Sequence, residues 1–342
     1  MPRPTTSWAT DGCIPRAMTI IEGAERALHG APFPALTPRD VAVLAAWIVA
    51  GFLVSERFSG RGDPTAPARM RGRPRSPPYA SPPVSWVETR SDAFRARHNE
   101  RDARDAERVL EDLEGVRDRL GSLLGSAPGE VAVILHDTAI ALSIAQPFLP
   151  VMWLGTAPAA RRYLAGWYSS REIHVLAPRL LAARASSVPG SREMLARTPG
   201  ALYARLAVGV ASPALPPPYR LRRMSALLKR AWLSEGAGQF LGGQTAFAQP
   251  AIARRLREGG RPAFPPGLRD ATLLGGTVLD LLARAVGVQG AARFAVLPHP
   301  QGPAVSLRDA FGRSLGEIES AWRTHLARLS EDRRRDVARV DM

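Results

Sequence analysis

Trp232-Leu233-Ser234-Glu235-Gly236-Ala237-Gly238-Gln239-Phe240 sets a carboxylate into an apolar helical stripe. Met224, Leu228, Trp232, Glu235 and Gln239 recur at steps of three or four residues, so they share one face of a helix expected over Leu221–Leu241. An ionised carboxylate on a core-facing stripe is costly unless a cation or several donors satisfy it. Glu235 therefore needs a metal ion, an arginine or a water-filled cleft. The alternative is that the stripe surfaces near its end and leaves the acid solvated. Gly236 and Gly238 add a second constraint. A glycine inside a helix costs about 1 kcal/mol relative to alanine, which makes sense where another element packs against the backbone.

The same stretch resembles the second zinc-site motif of the gluzincin (peptidase-MA-like) metallopeptidases, Trp-Leu-x-Glu-Gly-x-Ala-Glu-Tyr. In that family the first Glu is the third zinc ligand, and the first two ligands come from His-Glu-x-x-His on an earlier helix. This chain has six histidines, His29, His98, His136, His174, His299 and His325, and no two are four residues apart. The family's second acidic position is Gln239 here. The resemblance spans roughly residues 86–329 and extends to the order of elements. Ala310–Trp322 matches a closing Ala-Phe-Gly-x-Ser-Leu-x-Glu-x-Glu-x-x-Trp segment.

The resemblance implies that the active-site helix falls within Leu195–Gly209. One register puts Arg197, Thr198 and Ala201 at the His, Glu and His positions; another puts Ala201, Leu202 and Arg205 there. Neither supplies an imidazole or a general-base carboxylate. A catalytic zinc needs three protein ligands, an open position and a base for the water proton. Glu235 is thus a vestigial metal-site position, and neither a metal nor a cofactor is expected. A guanidinium from Arg205 or Arg197 would replace the metal by forking onto Glu235. Otherwise these arginines reach solvent and Glu235 bonds elsewhere, for example to Tyr203, with Gln239 also in the cleft. A zinc site rebuilt from His136, His174 and Glu235 is a further alternative.

The rest of the chain reads as an α+β, zincin-like domain over 86–330: a small twisted sheet with a covering helix, then a mostly helical subdomain. Ser85–His98 alternates loosely as a first strand. Asn99 caps a helix whose Ala106, Val109, Leu110, Leu113, Val116, Leu120 and Leu123 form one apolar face. Val131–Leu135 reads as a buried strand, and Leu164–Leu176 as an edge hairpin able to accept an added strand. Pro199 suits a helix start or a kink. Leu273–Ala285 reads as a helix interrupted at Gly275-Gly276. Ser306-x-x-Asp309 and Ser314-x-x-Glu317 read as helix starts, the latter a capping box.

Residues 1–40 lack periodicity and 56–85 are rich in Pro, Gly and Arg, so both are expected to be disordered. Between them lies an apolar helix at 41–55, a candidate single membrane anchor. Its uncharged run of fourteen residues (Val41–Val54) reaches about 21 Å against a hydrocarbon core of about 30 Å. By length the run suits a core helix or a signal segment as well; as an anchor, the arginines after it would place the main domain in the cytoplasm, whereas the resemblance to anchored peptidase-like domains implies an exported one. Residues 331–342 form a charged tail. The net charge of +15 suggests nucleic acid at first sight. The arginines, however, are interleaved with Asp and Glu, as in Arg101-Asp102-Ala103-Arg104-Asp105, which fits a solvated surface. One cysteine, Cys13, excludes an internal disulfide. The expected function is an inactive peptidase-like domain that binds a peptide or protein or acts as a scaffold. An active metal-dependent hydrolase with unfamiliar ligands and a basic nucleic-acid binder are the alternatives.

Overall fold

The computed structural model describes residues 86–340 except 147–148, 213 and 216–229, together with Thr19. The segments 1–40, 41–55 and 56–85, and the stripe residues Met224 and Leu228, lie outside the described residues. The chain is α+β.

The opening stretch is not one strand but two, β1 (Trp86–Arg90) and β2 (Phe94–Asn99), paired antiparallel. The turn between them is made by tertiary contact. Glu114 Oε1 accepts from both Ser91 Oγ and Ala93 N at 2.7 Å, so a helix one crossover away fixes the reversal. Asn99 accepts from Arg101 N and opens the way into helix α1 (Ala103–Leu124). The buried residues of α1 are Ala106, Val109, Leu110, Leu113, Val116 and Leu120, which is one face at helical period. β3 (Val131–His136) follows, then the short helices α2 (Ala139–Ala145), α3 (Leu149–Gly155) and α4 (Pro158–Arg161). The hairpin is β4 (Gly166–Tyr168) with β5 (Glu172–Leu176).

These strands form one mixed sheet in the order β1-β2-β3-β5-β4, with β2, β3 and β5 parallel and both edges antiparallel. The two edges differ. All three residues of β4 are buried, whereas Trp86 on β1 is 51% exposed. The hairpin Leu164–Leu176 is therefore not the exposed docking edge expected from sequence: its outer strand is roofed by helices, and β1 is the open edge.

The helical part comprises α5 (Pro178–Arg184), α6 (Ser191–Ala196), α7 (Thr198–Ala211), α8 (Ala231–Leu241), α9 (Gln249–Arg257), α10 (Leu268–Val296), α11 (Pro303–Phe311) and α12 (Leu315–Val340). Of the two readings of Pro199, a start or a kink, the structure shows the start: it stands in the first turn of α7. Ser306 lies inside α11, which starts at Gly302-Pro303; its hydroxyl is taken up by His299 N and Gly302 O. Ser314 and Glu317 do form the capping box, bonded in both directions. The helical backbone of α12 runs on through the charged stretch to Val340.

α10 is not interrupted at Gly275-Gly276. It breaks at Gly287 (φ 78°, ψ 164°), and the glycine pair instead admits α8. A Cβ on Gly236 would lie 2.5 Å from the Gly275 carbonyl atoms, so the two backbones touch where neither carries a side chain. Gly236→Ala is expected to destabilise the protein by about 1–3 kcal/mol, the cost of overpacking, read as a lowered urea midpoint; an unchanged midpoint would show that α8 and α10 are not in backbone contact. Among the described residues α10 is the one helix long and apolar enough to cross a membrane. More than half of its apolar window is buried within the protein, and Gly287 divides it.

Candidate functional site

α7 and α8 are buried on nearly every side, and α8 is clasped between α7 and α10. Glycines set the spacing: Gly242 meets the backbone of Ala201, and Gly238 leaves the space that the Arg205 side chain crosses. Glu235 of α8 and Arg205 of α7 meet in this interface. Arg205 Nη2 lies 2.7 Å from Glu235 Oε1, and each residue is only 5% exposed.

The remainder of the guanidinium is wrapped by the edge strand. Its carbon sits 4.8 Å from the Tyr168 ring centroid and 5.3 Å from that of Trp167. These rings offer negative π-faces to a cation withdrawn from water. Tyr168 Oη is 3.5 Å from Ser234 Oγ, tying β4 to the residue before Glu235. Burial pushes the Glu235 carboxyl above the usual carboxylate range, with the Arg205 charge pulling against it. The pair is enclosed, and two consecutive aromatics form its lid. Sequence reasoning missed that lid, because it depends on β4 pairing with β5; the signal available was Trp167-Tyr168 in a three-residue strand.

The other candidates of the cleft lie elsewhere. Arg197 is exposed at the start of α7, with its guanidinium 5.6 Å from the Phe247 ring. It is two helical turns from Arg205 and outside the interface. Tyr203 points to the sheet: its hydroxyl donates to Pro128 O at 2.5 Å and its ring packs edge-on to Phe94. Burial raises its pKa to about 12. Two residues along a helix is a rotation of about 200°, so Tyr203 and Arg205 cannot share a face. Gln239 turns to α10, donating to Thr272 O and accepting from Gly276 N at 3.2 Å. None of the three faces Glu235.

His136 and His174 do not converge with Glu235 either. In the β4–β5 register Gly166 pairs with Val175, and Leu202 of α7 fills the space beside Gly166. Side chains alternate along a strand, so His174, and His136 on β3, lie on the opposite face of the sheet from α7. Among the described residues no group of three or more His, Cys, Asp or Glu could hold a metal ion. The two imidazoles instead bond to each other, His136 Nε2 to His174 Nδ1 at 3.0 Å, with Glu172 Oε2 3.5 Å beyond on His174 Nε2.

Burial, then His174, holds the His136 pKa down at about 4. The folded state thus favours neutral His136. Its contribution to stability is present above the ordinary value of about 6.5 and is lost as pH falls from there to about 4. The loss amounts to about 3 kcal/mol at most. Urea midpoints should fall over this window in the wild type and fall less in His136→Asn; an equal fall in both would refute the assignment.

A second buried ion pair also escaped sequence reasoning: Arg255 forks onto Asp270, Nε to Oδ1 at 2.5 Å and Nη2 to Oδ2 at 3.1 Å. It joins α9 to the first turn of α10 and has no open face. Comparison with family models, curated proteins and solved structures finds no match to this chain.

Proposed function

We propose that this chain is a catalytically inactive, gluzincin-like domain in which a guanidinium stands where the family holds its metal, and that it acts by binding a peptide or protein or as a scaffold. The observation that carries this reading is the Arg205–Glu235 contact of 2.7 Å inside a closed helix interface. A carboxylate already neutralised by a fixed cation has no free charge for a divalent ion, and among the described residues no imidazole stands beside it. A general base for water is missing too, since Leu202 packs toward β4.

The order of elements supports the zincin-like part of the reading. A sheet with one covering crossover helix, an antiparallel edge strand, a buried helix beneath that strand and a glutamate helix behind it follow one another along the chain. The pairing of Arg205 rather than Arg197 favours the register that sets Ala201 and Arg205 at the two histidine positions.

Metal analysis tests the proposal. Purified, dialysed protein should carry far less than one transition-metal ion per molecule and show no chelator-sensitive proteolysis. One tightly held ion per molecule, lost on Glu235→Gln, would overturn it.

A further inference from the structure

β1 leaves one edge of the sheet open, and the turn beside it fixes which groups face outward. Ser91 N donates to Phe94 O at 3.0 Å, and the register runs on as Arg90 with Arg95, Thr89 with Ala96 and Glu88 with Arg97. Hydrogen-bonded and non-hydrogen-bonded pairs alternate along an antiparallel ladder. Thr89 and Val87 therefore bond to β2, while the backbone groups of Trp86, Glu88 and Arg90 point away from it. Among the described residues no hydrogen bond reaches those outward groups.

A protein usually blunts such an edge with proline, a bulge or charges that repel a like strand. β1 has none of these. Trp86-Val87-Glu88-Thr89-Arg90 carries no proline, pairs with β2 without interruption, and holds two charges of opposite sign. Trp86, Glu88 and Arg90 are exposed on the same face of the sheet as Arg95 and Arg97 of β2. Glu88 lies 2.6 Å from Arg90 Nη2 and 3.6 Å from Arg97 Nε.

A strand added to this edge must set its own outward-facing residues against Trp86, Glu88 and Arg90. The edge meets that condition with itself. We propose that β1 pairs antiparallel with β1 of a second copy of this chain, with Thr89 on the two-fold axis, and joins two five-stranded sheets into one. In this register Glu88 of each copy stands opposite Arg90 of the other, so the unlike pair forms twice. Sliding the strands one way by two residues sets Glu88 against Glu88; sliding them the other way sets Arg90 against Arg90. The charges thus select one register. Each Glu88 then lies between Arg97 of its own β2 and Arg90 of the other copy. Trp86 lies on the diagonal from that same Arg90, where an aromatic and a long cationic side chain meet. The contact uses the same patch on both copies and closes on itself, so it makes a dimer and no filament. It goes beyond the inactive-peptidase reading and does not depend on the Arg205–Glu235 interface.

Sedimentation equilibrium of the full chain, from micromolar to near-millimolar concentration, tests the assignment. The wild type should show a reversible monomer–dimer equilibrium. Arg90→Glu sets like charges opposite each other at both pairs and should weaken the dimer at least about tenfold. Glu88→Arg should do the same. The double variant Glu88→Arg/Arg90→Glu exchanges the two charges, renews both unlike pairs and should regain dimerisation close to that of the wild type. Both side chains are exposed, and circular dichroism of the four proteins should coincide. A variant that lost the dimer by unfolding would not regain it on the second substitution. A wild type that stays monomeric throughout overturns the proposal. So does a dimer of unchanged strength in both single variants, which would place the contact on another surface. A double variant no stronger than the singles overturns the pairing of Glu88 with Arg90.

Discussion

Arg205→Met is expected to lower the unfolding free energy by about 3–5 kcal/mol at pH 8 and by clearly less at pH 5. Glu235→Leu should cost a similar amount with little pH dependence. The asymmetry follows from which charge is left behind. Without Arg205, the carboxyl of Glu235 is buried with no counter-charge, and burial already holds it above its ordinary range. It then takes up a proton rather than remain ionised. A group whose folded-state pKa is raised contributes stability that is whole below its unfolded value and lost as pH rises through the folded one. The Arg205→Met deficit therefore grows with pH. Without Glu235 the guanidinium has no such escape, since arginine stays protonated in proteins. It keeps the Trp167 and Tyr168 rings beside it, which do not replace the lost carboxylate. The double variant Arg205→Met/Glu235→Leu should recover most of the loss, because replacing both members of a buried pair with apolar groups of similar volume is often neutral or better. Urea unfolding of the four proteins at the two pH values decides the matter. A double variant no better than the singles would show that the pair is not an isolated couple.

How much of this was legible beforehand depended on whether the deciding contacts were local. The covering helix was readable because a cap at Asn99 and a stripe from Ala106 to Leu120 are properties of one segment. The β1–β2 reversal was not, because Ser91-Asp92-Ala93 carries neither Gly nor Pro and the turn is fixed from outside by Glu114. The helices at 139–161 and 249–257 are short, several with a proline in the first turn, and left no clean period to read. In the site, Glu235 betrayed itself by sitting on a stripe with Trp232. Its partner could not be chosen, because α7 is apolar almost all round and an all-round apolar helix has no preferred face. The glycines at 236, 238, 275 and 276 did point correctly to close backbone approach. The sequence could not say that the first pair faces the second pair's helix on one side and Arg205 on the other.

Ala201→His with Arg205→His is expected to give the protein a zinc site that depends on Glu235. Positions 201 and 205 are one helical turn apart on α7 and share a face. Arg205 already reaches Glu235, and the backbone of Ala201 lies against α8 at Gly242. Removing the guanidinium frees the carboxylate, and two imidazoles with one carboxylate make a known tetrahedral set with one position left open. The double variant, dialysed after zinc loading, should retain about one zinc per molecule. Its melting temperature should rise with added zinc, since a ligand at a hundred times its dissociation constant stabilises the folded state by about 2.7 kcal/mol. Adding Glu235→Gln should remove both effects, which separates a three-ligand site from adventitious binding to two histidines. Arg205→His alone should bind zinc weakly, and it serves as the reference for the cost of losing the ion pair. No peptidase activity is expected with the metal, because Leu202, next to Ala201, is apolar, packs toward Gly166 of β4 and offers no general base. A folded double variant that retains no more zinc than the wild type would mean that residues 201, 205 and 235 do not converge on one point, and would count against the proposed gluzincin-like reading.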